Sequence, residues 1–219
     1  MIICGIDEAG RGPVIGPMVM AAVAIDTDHE AQLKKLGVKD SKLLQARQRE
    51  ALFDPITRLV LSFKIIILSP QQIDDALTSD SLNLNKLEAH TSADLLNNIP
   101  LGHIDQLIVD CPSPNTRQYT NFLKPLLKKN VTLVAEHKAD VNHVVVAAAS
   151  ILAKVVRDEE IKKIQQRIGE DIGSGYLTDP KTVAFLEKHF EDYPDIFRKQ
   201  WAPFQKMVFG KNQKKLGEF

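Results

Sequence analysis

Ile2-Ile3-Cys4-Gly5-Ile6-Asp7-Glu8-Ala9-Gly10-Arg11-Gly12 is the stretch whose reading decides the fold. Its β-branched residues predict a short buried strand over Ile2 to Ile6, ended by the glycines that follow. Two adjacent carboxylates, Asp7 and Glu8, then stand at the strand tip beside a flexible loop carrying Arg11. Successive strand residues point to opposite faces, so the two acids share a pocket only if the backbone turns between them. Glycine permits such a turn and lets backbone amides approach a phosphate or sugar closely. Together these residues point to divalent-metal and polyanion chemistry.

Working outward, Met18 to Ile25 and Ser62 to Leu68 read as further strands, able to form an antiparallel meander with the first. Between them Ser41 is expected to cap a helix through about Phe53. A helical region covers Pro70 to Asn98, broken near Thr78 to Ser81, and Leu107 to Val109 is a strand ending at Asp110. Cys111-Pro112-Ser113-Pro114 stops any regular element. Asn121 to Lys129 is expected to be a short helix limited by Pro125, and Val131 to Glu136 a strand. A long helix follows from about His143 to Arg167, with Ala147-Ala148-Ala149 suited to close packing on a sheet. Thr178 or Asp179 caps a last helix, Pro180 in its first turn, to about Phe190. Strands first clustered and then alternating with helices imply an α/β class, a mixed five-stranded sheet flanked by helices with a helical C-terminal extension.

The 219 residues, 44% hydrophobic, suffice for one sizeable core. Twenty-eight basic and 28 acidic residues cancel, so net charge gives no hint of a nucleic-acid partner. Two cysteines, Cys4 and Cys111, make neither a disulfide framework nor a thiolate zinc site. No basic leader precedes Asp7 and Glu8, and Val144 to Ala153 is too short to span a bilayer. A soluble, cytoplasmic protein is therefore expected.

Ligands of such sheets gather at the carboxyl ends of strands, where Asp7, Glu8 and Asp110 fall. Asp140 lies between the fifth strand and the long helix. Four converging carboxylates repel one another unless cations neutralise them. All-oxygen ligands favour Mg2+ or Mn2+ over zinc, and two such ions about 3.5–4 Å apart can activate water and stabilise a leaving oxygen. A competing set, His137, Asp140 and His143, has a spacing compatible with zinc or iron.

Asp7-Glu8-Ala9-Gly10-Arg11-Gly12, Asp40-Ser41-Lys42, His137-Lys138-Ala139-Asp140, the run from Ala147 through Lys154 to Arg157-Asp158, and Gly173-Ser174-Gly175-Tyr176 closely resemble type 2 ribonuclease H, ribonuclease HII, of the archaeal kind. The match covers roughly residues 1 to 195. The resemblance implies a ribonuclease H-like catalytic domain over 1–195, an extension over 196–219, and a monomer. It also implies endonucleolytic cleavage of RNA in RNA/DNA hybrids and at ribonucleotides embedded in DNA, leaving 5′-phosphate and 3′-hydroxyl ends. By the resemblance Asp7, Glu8, Asp110 and Asp140 are the metal-binding acids. Gly10, Arg11 and Gly12 read the ribose 2′-hydroxyl, and Tyr176 packs on the sugar at the RNA to DNA junction. Lys42, Lys138 and Lys154 are candidate phosphate contacts. Val144 stands where the family usually has a proline before the long helix, which allows that helix to start elsewhere.

Gln213-Lys214-Lys215-Leu216-Gly217-Glu218-Phe219 resembles a sliding-clamp-binding box, with Gln213 as polar anchor and Leu216 and Phe219 as apolar plug. Two other classes are compatible with the fold: a DNA-directed nuclease or junction resolvase, and a non-catalytic hybrid-binding module.

Overall fold

The computed structural model describes residues 1–208. In chain order the elements are β1 (Ile2–Ala9), β2 (Met18–Asp26), α1 (Glu30–Leu36), α2 (Ala46–Leu59), β3 (Ser62–Leu68), α3 (Pro70–Thr78) and α4 (Leu84–Asn97). They continue with β4 (Gln106–Asp110), α5 (Thr116–Leu123), β5 (Thr132–Glu136), α6 (Ala139–Asn142), α7 (Val144–Ile168) and α8 (Pro180–His189). Residues 202–208 are also helical. The strands form one mixed sheet in the order β3-β2-β1-β4-β5. β1 runs antiparallel to β2, whereas β4 is parallel to both β1 and β5.

The chain divides into two compact units. The first comprises residues 1–9, 19–67 and 85–157 and holds the sheet. Every residue of β2 but the last is buried, which explains its unbroken apolar sequence, since a central strand covered on both faces has no polar side to show. The core is aliphatic, built from residues such as Val19, Val23, Ile25, Ile108, Val145, Ile151 and Leu152. Ala147, Ala148 and Ala149 are all buried in it. Gly5 brings α7 close to β1: a Cβ there would sit 2.7 Å from the backbone carbon of Val145 and the nitrogen of Val146.

Of the described residues, the second unit comprises 10–18, 68–84 and 158–208. Its core is aromatic, with Phe185 stacked on Tyr193 and Phe197 at centroid distances of 5.9 and 6.2 Å and Phe204 set 5.6 Å from Phe197. Val14, Ile15, Ile161, Ile172, Leu186 and Ile196 fill the remainder.

Several local expectations are corrected. β1 does not stop at Ile6: it pairs with β2 through Asp7↔Ala21, Glu8↔Met20 and Ala9↔Val19, so both acids lie within the strand. Ser41 does not cap α2. It opens a 3-10 turn over Ser41–Leu43, capped by the Asp40 carboxylate accepting from the Lys42 amide, and its own hydroxyl is 2.9 Å from that of Ser150. α2 begins at Ala46 behind a Gln45–Gln48 capping box and continues through Pro55 to Leu59. α1 went unforeseen because only Leu33 of its seven residues is buried. α5 starts at Thr116, capped by Asn115, and gives way to a 3-10 turn at Lys124–Leu126, where Pro125 lacks an amide hydrogen. α7 starts at Val144 itself. No helix among the described residues is long and apolar enough to cross a membrane.

Candidate active site

Strand register sets the acid edge of the first unit. The parallel pairing of β1 with β4 ends at Ile6↔Val109, so Asp7 and Asp110 are the next residues on neighbouring strands. Parallel partners share a face, which makes these carboxylates neighbours. Glu8 follows Asp7, and its amide donates to Asp7 Oδ1 at 2.7 Å. Asp140 is carried by the short turn α6 and is buried. Lys138, just before it, adopts φ 61° and ψ 36°, the one left-handed non-glycine residue among those described. That conformation turns the Lys138 and Ala139 amides toward Asp110, the latter donating to Oδ1 at 2.9 Å.

The electrostatics follow from this crowding. Burial, then the charges of Glu8 and Asp110, hold the Asp7 carboxyl well above the usual carboxylate range, while the Ser150 hydroxyl and Glu8 amide pull it down. Asp110 is also raised, mainly by burial with Asp140 adding to it, against the Ala139 amide and Lys42. Lys42 answers both: burial works against its charge, yet Asp140, Asp40 and Asp7 together keep its pKa above the ordinary value. Its Nζ lies 3.3 Å from Asp140 Oδ2. The other oxygen, Oδ1, is buried and makes no hydrogen bond. A buried carboxylate oxygen without a donor is costly and fits a position that a cation completes.

Among the described residues no group of three or more His, Cys, Asp and Glu side chains is already gathered to hold an ion. Each of three carboxylates is held by a protein donor: the Glu8 amide on Asp7, the Ala139 amide on Asp110 and the Lys42 ammonium on Asp140. The histidines of the zinc or iron alternative also have protein partners. His143 Nε2 lies 2.9 Å from Glu136 Oε1, and exposed His137 directs Nδ1 to the Cys111 carbonyl at 3.2 Å. Of the other candidate lysines, Lys138 is exposed and Lys154 half-buried on α7.

The glycine loop belongs to the second unit. Gly10 and Gly16 have φ of 80° and 82°, which only glycine adopts without strain. Fully buried Arg198 donates from Nη2 to the Gly10 carbonyl at 2.6 Å, from Nη1 to that of Arg11 at 3.0 Å and from Nε to that of Gly16 at 2.9 Å. Trp201 Nε1 donates to the Gly12 carbonyl at 3.1 Å. The Val14 amide donates to the Gly175 carbonyl at 2.8 Å, joining the loop to the turn before Tyr176. That turn rests on the start of α8, with the Ser174 amide on Asp179 and the Gly175 amide on Thr182. The Tyr176 ring lies against Gly12, where an added Cβ would meet it at 3.6 Å. Sequence reasoning missed Arg198, Trp201 and Asp74, whose carboxylate accepts from the Lys199 and Gln200 amides. The available signal was an arginine framed by Ile196-Phe197 and the chain's one tryptophan. Gln213, Leu216 and Phe219 lie outside the described residues.

The model of one protein family, Ribonuclease HII, matches residues 4–204. The chain belongs to the ribonuclease HII family. It is 39% identical to a ribonuclease HII of Pyrococcus horikoshii, over 100% of this chain and 99% of the relative. The crystal structure of ribonuclease H2 from that organism superposes with a TM-score of 0.86 at 37% identity, covering 97% of this chain and 100% of that one. A PCNA:RNase HII complex from Archaeoglobus fulgidus matches at TM-score 0.81 and 35% identity, over 92% of this chain and 95% of that one. Bst-RNase HIII in complex with Mn2+ matches at TM-score 0.76 and 25% identity, covering 97% of this chain and 71% of that one. Family membership makes this chain an enzyme, a ribonuclease H that hydrolyses phosphodiester bonds.

Proposed function

We propose that this chain hydrolyses the RNA strand of RNA/DNA hybrids and incises duplex DNA at single embedded ribonucleotides, with Asp7, Glu8, Asp110 and Asp140 holding two divalent cations. The observation that carries this is the acid edge: Asp7 and Asp110 follow the last paired residues of adjacent parallel strands, and buried Asp140 keeps one oxygen without a hydrogen-bond donor. The donor set is all oxygen, which suits Mg2+ or Mn2+; the Mn2+ in the ribonuclease HIII relative agrees. Such cations supply a nucleophilic water at neutral pH and neutralise charge on a leaving oxygen.

The protein groups have separable tasks. The four acids position and neutralise, with no covalent intermediate on them, and leave 5′-phosphate and 3′-hydroxyl ends. Lys42, whose side chain is mostly exposed, can leave Asp140 for a substrate phosphate once cations take over its role there. Lys138 and Lys154 are further phosphate contacts. Gly10, Arg11 and Gly12 receive the 2′-hydroxyl, the group that distinguishes RNA from DNA at one position. Tyr176 offers its ring to the neighbouring sugar. The segment with Gln213, Leu216 and Phe219 binds the sliding clamp, a reading that the PCNA complex of the Archaeoglobus fulgidus relative supports. The enzyme works as a cytoplasmic monomer.

The test is a labelled DNA duplex with one ribonucleotide, incubated with Mg2+, Mn2+ or a chelator beside an all-DNA control. Metal-dependent incision at the ribonucleotide alone is expected. Cutting of the control would make the chain a general nuclease, and no cutting with either metal would leave a binding role.

A further inference from the structure

The glycine loop has an internal support that the reaction chemistry does not require. Arg198 is fully buried, and its guanidinium spans the carbonyls of Gly10, Arg11 and Gly16, which lie 188, 187 and 182 residues away in sequence. Trp201 takes the Gly12 carbonyl, and Asp74 fixes the intervening Lys199 and Gln200 amides. The described chain has no cis peptide bond. In a trans peptide the N–H points opposite to the carbonyl it adjoins. Drawing the Gly10 carbonyl onto Arg198 therefore aims the Arg11 N–H away from the guanidinium, and drawing in the Arg11 carbonyl does the same for the Gly12 N–H. The other two captured carbonyls precede Pro13 and Pro17, which have no N–H. The clamp thus selects two donors of the loop, those of Arg11 and Gly12, and gives them one direction.

We propose that Arg198, assisted by Trp201, is the positioning residue that sets the ribose discrimination of this enzyme by presenting the Arg11 and Gly12 amides to the 2′-hydroxyl. The inference rests on the reading of the loop as the 2′-hydroxyl site. A planar guanidinium offers five N–H groups in a rigid fork, so it serves three carbonyls at once, which a lysine ammonium on a flexible stem does not reproduce. Its role is in binding, so it acts on KM and not on the chemical step.

The experiment compares wild type with Arg198→Lys and Trp201→Phe. It measures kcat and KM on the single-ribonucleotide duplex, the inhibition constant of an all-DNA competitor, and amide hydrogen exchange of residues 10–12. For Arg198→Lys the KM is expected to rise about tenfold and kcat to change less than about threefold. The preference for the ribonucleotide duplex over the competitor should shrink by a similar factor, and exchange at 10–12 should quicken. Trp201→Phe should move each quantity the same way by a smaller factor, and it carries the test if Arg198→Lys fails to fold. A folded variant with unchanged KM and unchanged exchange overturns the proposal, as does a kcat loss at constant KM. If wild type leaves the ribonucleotide uncut, the site reading fails and takes the discrimination role with it. If wild type cuts but the variants discriminate normally, only the clamp proposal fails.

Discussion

The acid edge of the first unit and the glycine loop of the second are built with opposite signs. At the acid edge, buried Asp7 and Asp140 and half-buried Asp110 are held by donors, namely the Glu8 and Ala139 amides and the Lys42 ammonium. At the glycine loop a cationic side chain is buried and holds backbone acceptors. The first arrangement is left unbalanced, as the raised Asp7 and Asp110 and the unbonded Asp140 oxygen record. The second is satisfied from within, on an aromatic core. Crowded carboxylates favour a counter-charge, whereas a site that reads a neutral hydroxyl is best held rigid beforehand. Metal and pH should therefore act on one half and leave the other alone.

The largest effect should come from removing charge at the acid edge. Asp7→Asn and Asp110→Asn are each expected to lower turnover by roughly 10²–10³ or more, the scale of losing one group that stabilises developing charge. Hybrid binding, measured by fluorescence anisotropy, should remain, because the glycine loop is untouched. Turnover within a few-fold of wild type in either variant would sink the assignment; lost binding would show that the two halves are not separable.

Two glycines sharpen the contrast between loop and core. Gly12 has no positive φ, and an added Cβ would meet only the Tyr176 ring at an ordinary 3.6 Å. Gly12→Ala should fold normally and raise KM for the ribonucleotide duplex, about tenfold for a loss near 1.4 kcal/mol. Gly5→Ala places a Cβ 2.7 Å from the Val145 and Val146 backbone, so it should destabilise by roughly 1–3 kcal/mol with little change in KM of the folded fraction. Thermal denaturation beside kinetics separates the two. A Gly12→Ala protein that melts early instead would mean the loop glycine serves packing.

The same contrast explains which features were legible in sequence. β2, β4 and α7 announced themselves because their apolar runs are buried, β3 and β5 through β-branched residues that stay only partly covered, and Asp7 and Asp110 because each follows an apolar run. α1 stayed hidden because one buried residue makes no periodic pattern. Ser41 misled because its hydroxyl, a good cap in principle, is spent on Ser150, 109 residues away. The turn that carries Asp140 depends on a left-handed lysine, which no propensity favours. Arg198 has only its flanking Ile196-Phe197 and Trp201 as a local signal, because a buried arginine looks like a surface one until its partners, more than 180 residues distant, are known. Local physics reports burial well and long-range polar pairing poorly.

The smallest effect is also the most selective probe of the comparison. Asp7 and Asp110 have raised folded-state pKa values, so the metal-free fold keeps protons that the unfolded chain has already released. Stability from this source is present below the ordinary carboxylate pKa and is lost as pH climbs through the raised values. Asp26, Asp105, Asp171 and Asp179 are depressed instead, and their contribution is lost only as pH falls below the ordinary range, near about 3.9. Between about pH 4 and 7 the acid edge is thus read with little interference from them. Urea denaturation in chelator should give greater stability at pH 5 than at pH 7. Asp7→Asn should flatten that slope, and saturating Mg2+ should reverse the disadvantage at pH 7, because a ligand that binds only the folded state stabilises it. Arg198→Lys should leave the slope intact. A slope that persists in full in Asp7→Asn would remove Asp7 as its source and leave Asp110, and one that vanishes in Arg198→Lys would mean that the acid edge and the glycine loop share one electrostatic balance.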